Sequence, residues 1–282
     1  MGVNSQRVDY YPLLGGVRAR LGKRKKRGIA LRFVLCVLRD SVFLSCLLPI
    51  AYCLFPFFPM TRRLFFIGLW FAFLGYAFLL APPDRPETVD LIINLSSGNW
   101  DGLNPAIVAL FNLMGIFPFA YGAMMFADGR GQKIGAWVFA AASFGVGAFA
   151  ILPYLALRDP NPNLEGDLNP LLRFWDSRIL GGILTLGAIA LLGFGLSQGN
   201  WSDFSQQWQS SRFIHVMSLD FCLLCGLVPA LLGDDMARRG LKNPKLFWAV
   251  SLTPLLGLLL YLSLRPPLEA ATPALQDSPQ SS

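Results

Sequence analysis

Histidine occurs once in 282 residues, at His215, and charged side chains make up only 15% of the chain. A single histidine excludes a multi-histidine metal centre and argues against histidine-dependent catalysis. No G-x-x-x-x-G-K-[ST] or H-E-x-x-H pattern occurs, which removes the phosphate-loop and zincin classes. Soluble domains carry about 25% charged residues. Here the missing charge is missing from long apolar blocks. Cysteine is sparse as well. Of Cys36, Cys46, Cys53, Cys222 and Cys225, only the last two are closely spaced. A lone C-x-x-C with no second pair and no histidine cluster completes no zinc site, so these read as small apolar residues packed inside a helix. No cofactor, no metal and no enzymatic activity are expected.

Hydrophobic side chains, by contrast, make up 54% of the chain. Apolar blocks cover Ser41–Phe58, Leu64–Leu80, Pro105–Phe126, Ile134–Leu157, Arg178–Leu196, Phe213–Leu232 and Leu246–Leu264. About 20 apolar residues span the hydrocarbon layer as a helix. The fold class is therefore all-α: a polytopic transmembrane helix bundle of about seven spans, over residues 41–264. Residues 1–40 form a basic tail ending in an amphipathic segment, Ile29–Arg39, suited to the headgroup region. The tail 265–282 has the composition of disorder. Asn104 and Pro105 read as cap and first-turn proline of their span.

The net charge of +7 is concentrated before the first span, in Arg18, Arg20, Lys23, Arg24, Lys25, Lys26 and Arg27. Beside a span such a cluster reads as a site for anionic lipid headgroups and as a topology signal, not as a nucleic-acid surface. The bilayer is thus the expected partner, and the N-terminus is expected to be cytoplasmic.

Three short matches recur in the same order, each about one hundred residues apart. Ser96–Asp101 (SSGNWD) resembles Ser197–Asp203 (SQGNWSD). Asp128–Lys133 (DGRGQK) resembles Asp234–Lys242 (DDMARRGLK). Tyr154–Pro160 (YLALRDP) resembles Tyr261–Pro267 (YLSLRPP). They suggest two copies of a three-helix unit, 64–157 and 178–264. Three spans per unit would turn the second copy upside down, as in many transporters. The turns at Lys133 and Lys242 should then face opposite sides.

Few polar groups interrupt the spans. Asp220 lies deep in the sixth, where a carboxylate costs about 2.5–3.5 kcal/mol to insert and must face protein or water. Asn112 in the third span is a plausible partner. His215, five residues before Asp220, could ligate a pigment metal, donate to a loop carbonyl, or do neither. The loop Asn94–Asn104 supplies a second candidate site through Asn94, Asn99, Asp101 and Asn104, although a capped turn explains it equally well.

Three stretches carry a resemblance: Asn94–Gly115 (NLSSGNWDGLNPAIVALFNLMG), Arg212–Cys222 (RFIHVMSLDFC) and Leu231–Gly240 (LLGDDMARRG). Together they resemble uncharacterised polytopic membrane proteins of cyanobacteria and plastids, over about residues 60–267. The resemblance implies a photosynthetic setting in a thylakoid or plasma membrane and carries over no binding residues. Two functions fit the chain. One is a non-enzymatic factor supporting assembly or organisation of photosynthetic membrane complexes. The other is a small-solute or ion transporter built from inverted three-helix repeats.

Overall fold

A computed structural model describes residues 59–163, 169–253 and 255–268. The first span, the basic tail with Lys23–Arg27, Cys36, Cys46, Cys53, Pro254 and the C-terminal tail beyond Leu268 lie outside the described residues, whereas Arg265 and Leu268, at the start of the segment expected to be disordered, are buried.

Every regular element among the described residues is a helix. In chain order they are α1 (Pro59–Gly75), α2 (Thr88–Ser97), α3 (Pro105–Asp128), α4 (Ala136–Val146), α5 (Ala148–Leu157), α6 (Pro170–Trp175), α7 (Arg178–Gln198), α8 (Trp201–Ser210), α9 (Arg212–Leu227), α10 (Pro229–Arg238), α11 (Pro244–Leu252) and α12 (Leu256–Leu264). Asparagine followed by proline starts α3, α6 and α11. Asn104, Asn169 and Asn243 each accept a bond from a first-turn amide, and the following proline needs none.

Four rods are long and apolar enough to cross a membrane: Met60–Leu80, Pro105–Asp128, Pro170–Gln198 and Arg212–Arg238. The first ends in a π-helical turn, Tyr76–Leu80, closed by the Ala81 amide on the Tyr76 carbonyl at 2.9 Å. The last continues from α9 into α10 through Val228, which keeps helical angles, so Pro229 bends the rod without ending it. α3 and α9 form the centre. α1 and α7 lie outside it and expose Leu64, Phe71, Ile179 and Leu186 by 60% or more, which gives the bundle an apolar outer surface.

The remaining two apolar blocks are broken. α4 and α5 meet at Gly147, whose φ of +53° and ψ of −125° leave the helical region. The chain turns back there, since the rings of Phe139 in α4 and Tyr154 in α5 meet with centroids 5.7 Å apart. α11 and α12 meet at Leu255, the one described non-glycine residue with positive φ (59°). Gly257 then lies so close to the Val250 carbonyl that a Cβ would stand 2.8 Å from it. Eleven residues of α4 reach only about 16 Å, half of a roughly 30 Å layer.

Contacts fix the direction of each rod. Arg62, near the start of α1, donates to the Arg158 carbonyl at 2.5 Å, and Arg178, at the start of α7, donates to the Arg265 carbonyl at 2.9 Å. α3 and α9–α10 run the same way: Phe111 meets Phe213, Phe117 meets Phe221, the Tyr121 hydroxyl reaches the Leu224 carbonyl, and Asp128 meets Arg238. Both doubled-back pairs begin and end at the face where Asp128 and Arg238 meet.

These facts change the sequence-based picture in three places. Residues 134–157 and 246–264 are helical hairpins, so the expectation of seven spans is not met among the described residues. Each unit holds two long helices and one hairpin, an even number of crossings, so the expectation of an inverted second copy is not met either. The turns at Asp128–Lys133 and Asp234–Lys242 share one face instead of opposing each other. The polar loops 84–102 and 197–211 also hold the short helices α2 and α8, each between two long ones in chain order.

Candidate functional site

A charge cluster closes the face at which both hairpins end. At the C-terminus of α3, Asp128 Oδ2 accepts the Tyr154 hydroxyl at 2.6 Å and pairs with Arg158 Nε at 3.0 Å. In α10, Asp235 Oδ2 accepts the Tyr261 hydroxyl at 2.7 Å and pairs with Arg265 Nη1 at 3.1 Å. Asp128, Tyr154 and Arg158 recur 107 residues later as Asp235, Tyr261 and Arg265. Each tyrosine comes from the returning helix of a hairpin, and each arginine follows that helix directly. Arg158 also pairs with Asp234 and donates to the Ala230 carbonyl at 2.8 Å. Arg238 pairs with Asp128 at 3.2 Å, and Arg265 donates to the Ala123 carbonyl at 3.0 Å. The two units are therefore cross-linked through one another's triads.

Asp176 adds a carboxylate, pairing with Arg239 at 2.6 Å and Arg265 at 3.2 Å. Four carboxylates (Asp128, Asp176, Asp234, Asp235) thus balance four guanidinium groups (Arg158, Arg238, Arg239, Arg265). Asp128, Arg158 and Asp235 are wholly buried. Balance is what makes burial tolerable, because an unpaired buried ion costs several kcal/mol. Burial opposes the charge of Arg239, yet Asp235 and Asp176 hold its pKa above the ordinary arginine value. At Arg265 burial outweighs Asp235 and lowers it. The signal that could have found the cluster was the exact repetition of Asp, Tyr and Arg at one spacing.

Asp220 sits away from this cluster. α9 points it at the break in the first hairpin, where the Ala148 amide donates to its Oδ1 at 2.8 Å. A Cβ at Gly147 would overlap its carboxylate, so glycine is required both for the positive φ and for the approach. Asp220 is only 5% exposed and makes no ion pair among the described residues. No group among them bonds its Oδ2. The expected partner is not used: Asn112 turns its amide to the Val108 carbonyl of its own helix, at 2.8 Å.

His215 is saturated. Its Nδ1 lies 3.0 Å from the Trp208 carbonyl and must donate there, which leaves Nε2 to accept the Tyr76 hydroxyl at 2.8 Å. Both ring nitrogens are engaged, so it binds no metal in this arrangement. Of its three sequence-based readings, donation to a carbonyl is the one observed.

The loop residues divide. Asn104 is structural: Oδ1 accepts from the Ala106 and Asn200 amides at 3.0 and 3.1 Å, and Nδ2 donates to the Asn200 carbonyl and Asp203 at 2.8 and 2.7 Å. It joins the start of α3 to the second G-N-W segment. Asn94 accepts from Asn99 at 3.3 Å within its own turn, and Asp101 is exposed. The four do not converge on one point. Cys222 and Cys225 lie within α9, the first half-buried and the second buried. No group of three or more metal-binding side chains occurs among the described residues. No family model, characterised protein or solved structure matches this chain.

Proposed function

We propose that this protein is a membrane carrier for a small solute or ion, built from two like units that run in the same direction. Each unit would consist of a span, a short crossing helix, a second span and a hairpin that enters and leaves by one face. Four spans then replace seven, and the repeat is tandem instead of inverted. The observation that carries the reading is the break at Gly147, set against Asp220 in the interior of the bundle. Non-helical backbone at membrane depth is tolerated where it is buried in protein or lines an aqueous path, and half-helix ends at that depth are how carriers hold charged cargo. The cross-linked charge cluster supports the same reading, since it closes one end of the seam between the units.

A role in organising photosynthetic complexes, and residence in a thylakoid, rest on the resemblance of three stretches and draw no support from the geometry. The carrier reading is tested in proteoliposomes of the purified full-length chain. They are offered an isotope-labelled panel of amino acids, sugars, organic acids and monovalent ions. Uptake of one class above empty vesicles, reduced by Gly147→Ala, is expected. Equal uptake by loaded and empty vesicles across the panel would count against a carrier.

A further inference from the structure

We infer that Asp220 is a proton-binding site, loaded and emptied at the tip of the first hairpin. The inference rests on the carrier reading for its use, and on geometry for its chemistry. Asp220 Oδ1 is occupied by the Ala148 amide, while Oδ2 carries no bond from the described residues. One carboxyl oxygen is thus anchored and the other is free to take a proton.

Two opposed influences act on this group. Removal from water disfavours a charge, and the amide at the head of α5, with the positive end of that helix, favours one. No cation intervenes. From α3 the nearest titratable group is Tyr121, whose hydroxyl is committed to the Leu224 carbonyl at 2.6 Å. α9 itself offers Cys222 and Cys225. The hairpin tip offers backbone only. From the π-helical turn after α1, Tyr76 is committed to His215. A metal cation fits poorly, because it needs about six oxygens and the anchored side of the carboxyl faces an N–H donor.

The reaction is a simple exchange with water: a hydronium ion gives a proton to Oδ2, leaving water and a neutral carboxyl, and the same proton returns to a water molecule when the hairpin tip moves. The Ala148 bond can hold in both states, since it uses the other oxygen.

The test uses the wild-type chain in proteoliposomes and dicyclohexylcarbodiimide, an apolar reagent that adds to protonated carboxyls. Labelling of Asp220 is read by peptide mass spectrometry across pH. Infrared difference spectra of wild type against Asp220→Asn, read in parallel, follow the carboxylic-acid band without any reagent. Labelling and band should fall together with rising pH, about tenfold per unit beyond the midpoint. Neither labelling nor band varying with pH would overturn the proposal. So would protection by sodium chloride but not choline chloride at fixed pH, which would mark a cation site. If Asp220→Asn fails to accumulate, the wild-type labelling curve decides alone. Titration without solute uptake would sink the carrier reading and spare the proton site; uptake without titration would do the reverse.

Discussion

The two units differ in what they repeat. Asp128, Tyr154 and Arg158 return as Asp235, Tyr261 and Arg265 with matching bonds of 2.6 and 2.7 Å from tyrosine to carboxylate. The breaks in the hairpins return as well, at Gly147 and next to Pro254. Asp220 does not: the residue 107 positions earlier is Leu113, buried in the core. His215 answers to Val108 and Tyr121 to Val228. The duplicated parts tie hairpin to rod and unit to unit. The unduplicated part is a lone carboxyl at a hairpin tip. A feature needed to hold each unit together must occur in both copies, whereas an activity needs one site, so the asymmetry separates scaffold from candidate site.

The severest way to break this division is to remove a scaffold carboxylate. Asp235 faces Arg239 at 2.9 Å and Arg265 at 3.1 Å, and also receives Tyr261. Asp235→Ala leaves the buried guanidinium groups of Arg239 and Arg265 to share one carboxylate, Asp176, and breaking a buried pair from one side costs about 3–5 kcal/mol. The variant should fail to accumulate in the membrane, as judged by immunoblot. Asp128→Ala should behave alike, because Asp128 faces Arg158 and Arg238. Normal accumulation of either would show that the cluster is not scaffold.

Gly147→Ala is next in size. A positive φ in this region costs a side-chain-bearing residue about 1–3 kcal/mol, and the added methyl would push Asp220 off the Ala148 amide. We expect a lowered melting temperature and loss of the Asp220 labelling curve. Gly145→Ala is the control two residues away, where a Cβ meets nothing within 4 Å and helix propensity favours alanine by up to about 1 kcal/mol. Equal melting temperatures for the two variants would mean that the hairpin tip is not constrained as described.

A finer comparison sets the two tyrosines against each other. Tyr154→Phe and Tyr261→Phe each delete one hydroxyl bonded to a buried carboxylate, worth about 1.5–3 kcal/mol. Like geometry predicts like losses in thermal denaturation of the detergent-solubilised protein. A difference above about 1 kcal/mol, beyond ordinary context effects, would mean that the repeated sequence no longer does the same work in both units.

The membrane class, the helix limits near Leu80, Pro105, Arg178 and Arg212, and the cap at Asn104 were legible because apolar length and Asn-Pro punctuation act locally. The hairpins were not. A doubled-back pair such as Ile134–Leu157 has the length and hydrophobicity of one span, and only the turn at Gly147 distinguishes them. Gly147 could not be told from the other glycines in apolar blocks, because its need arises from Asp220, 73 positions along. The orientation of the second unit followed from the span count and failed with it. The matches themselves pointed to the right residues, but the arginines in Y-L-x-L-R look like interfacial charges until their partners are brought in by the fold. Asp220 was legible as inward-facing from cost alone; its partner, a backbone amide at a helix break, leaves no trace in composition.

The smallest expected effect on stability falls on the most informative position. Asp220→Asn keeps an oxygen to accept the Ala148 amide and places an amide nitrogen where Oδ2 stood, with no change in volume. It removes a group that is unfavourable in apolar surroundings when charged. Accumulation and melting should therefore stay within about 1 kcal/mol of wild type, the range of a substitution that breaks no network. Asp220→Leu provides the contrast: it removes the acceptor and leaves a buried amide unpaired, for about 1–3 kcal/mol. If the single carboxyl is the working group, Asp220→Asn should fold and yet abolish solute uptake in proteoliposomes, because an amide cannot exchange a proton. Full uptake by this variant would place Asp220 with the scaffold, as a cap on α5 contributed by another helix, and would erase the distinction between what the two units share and what only one of them has.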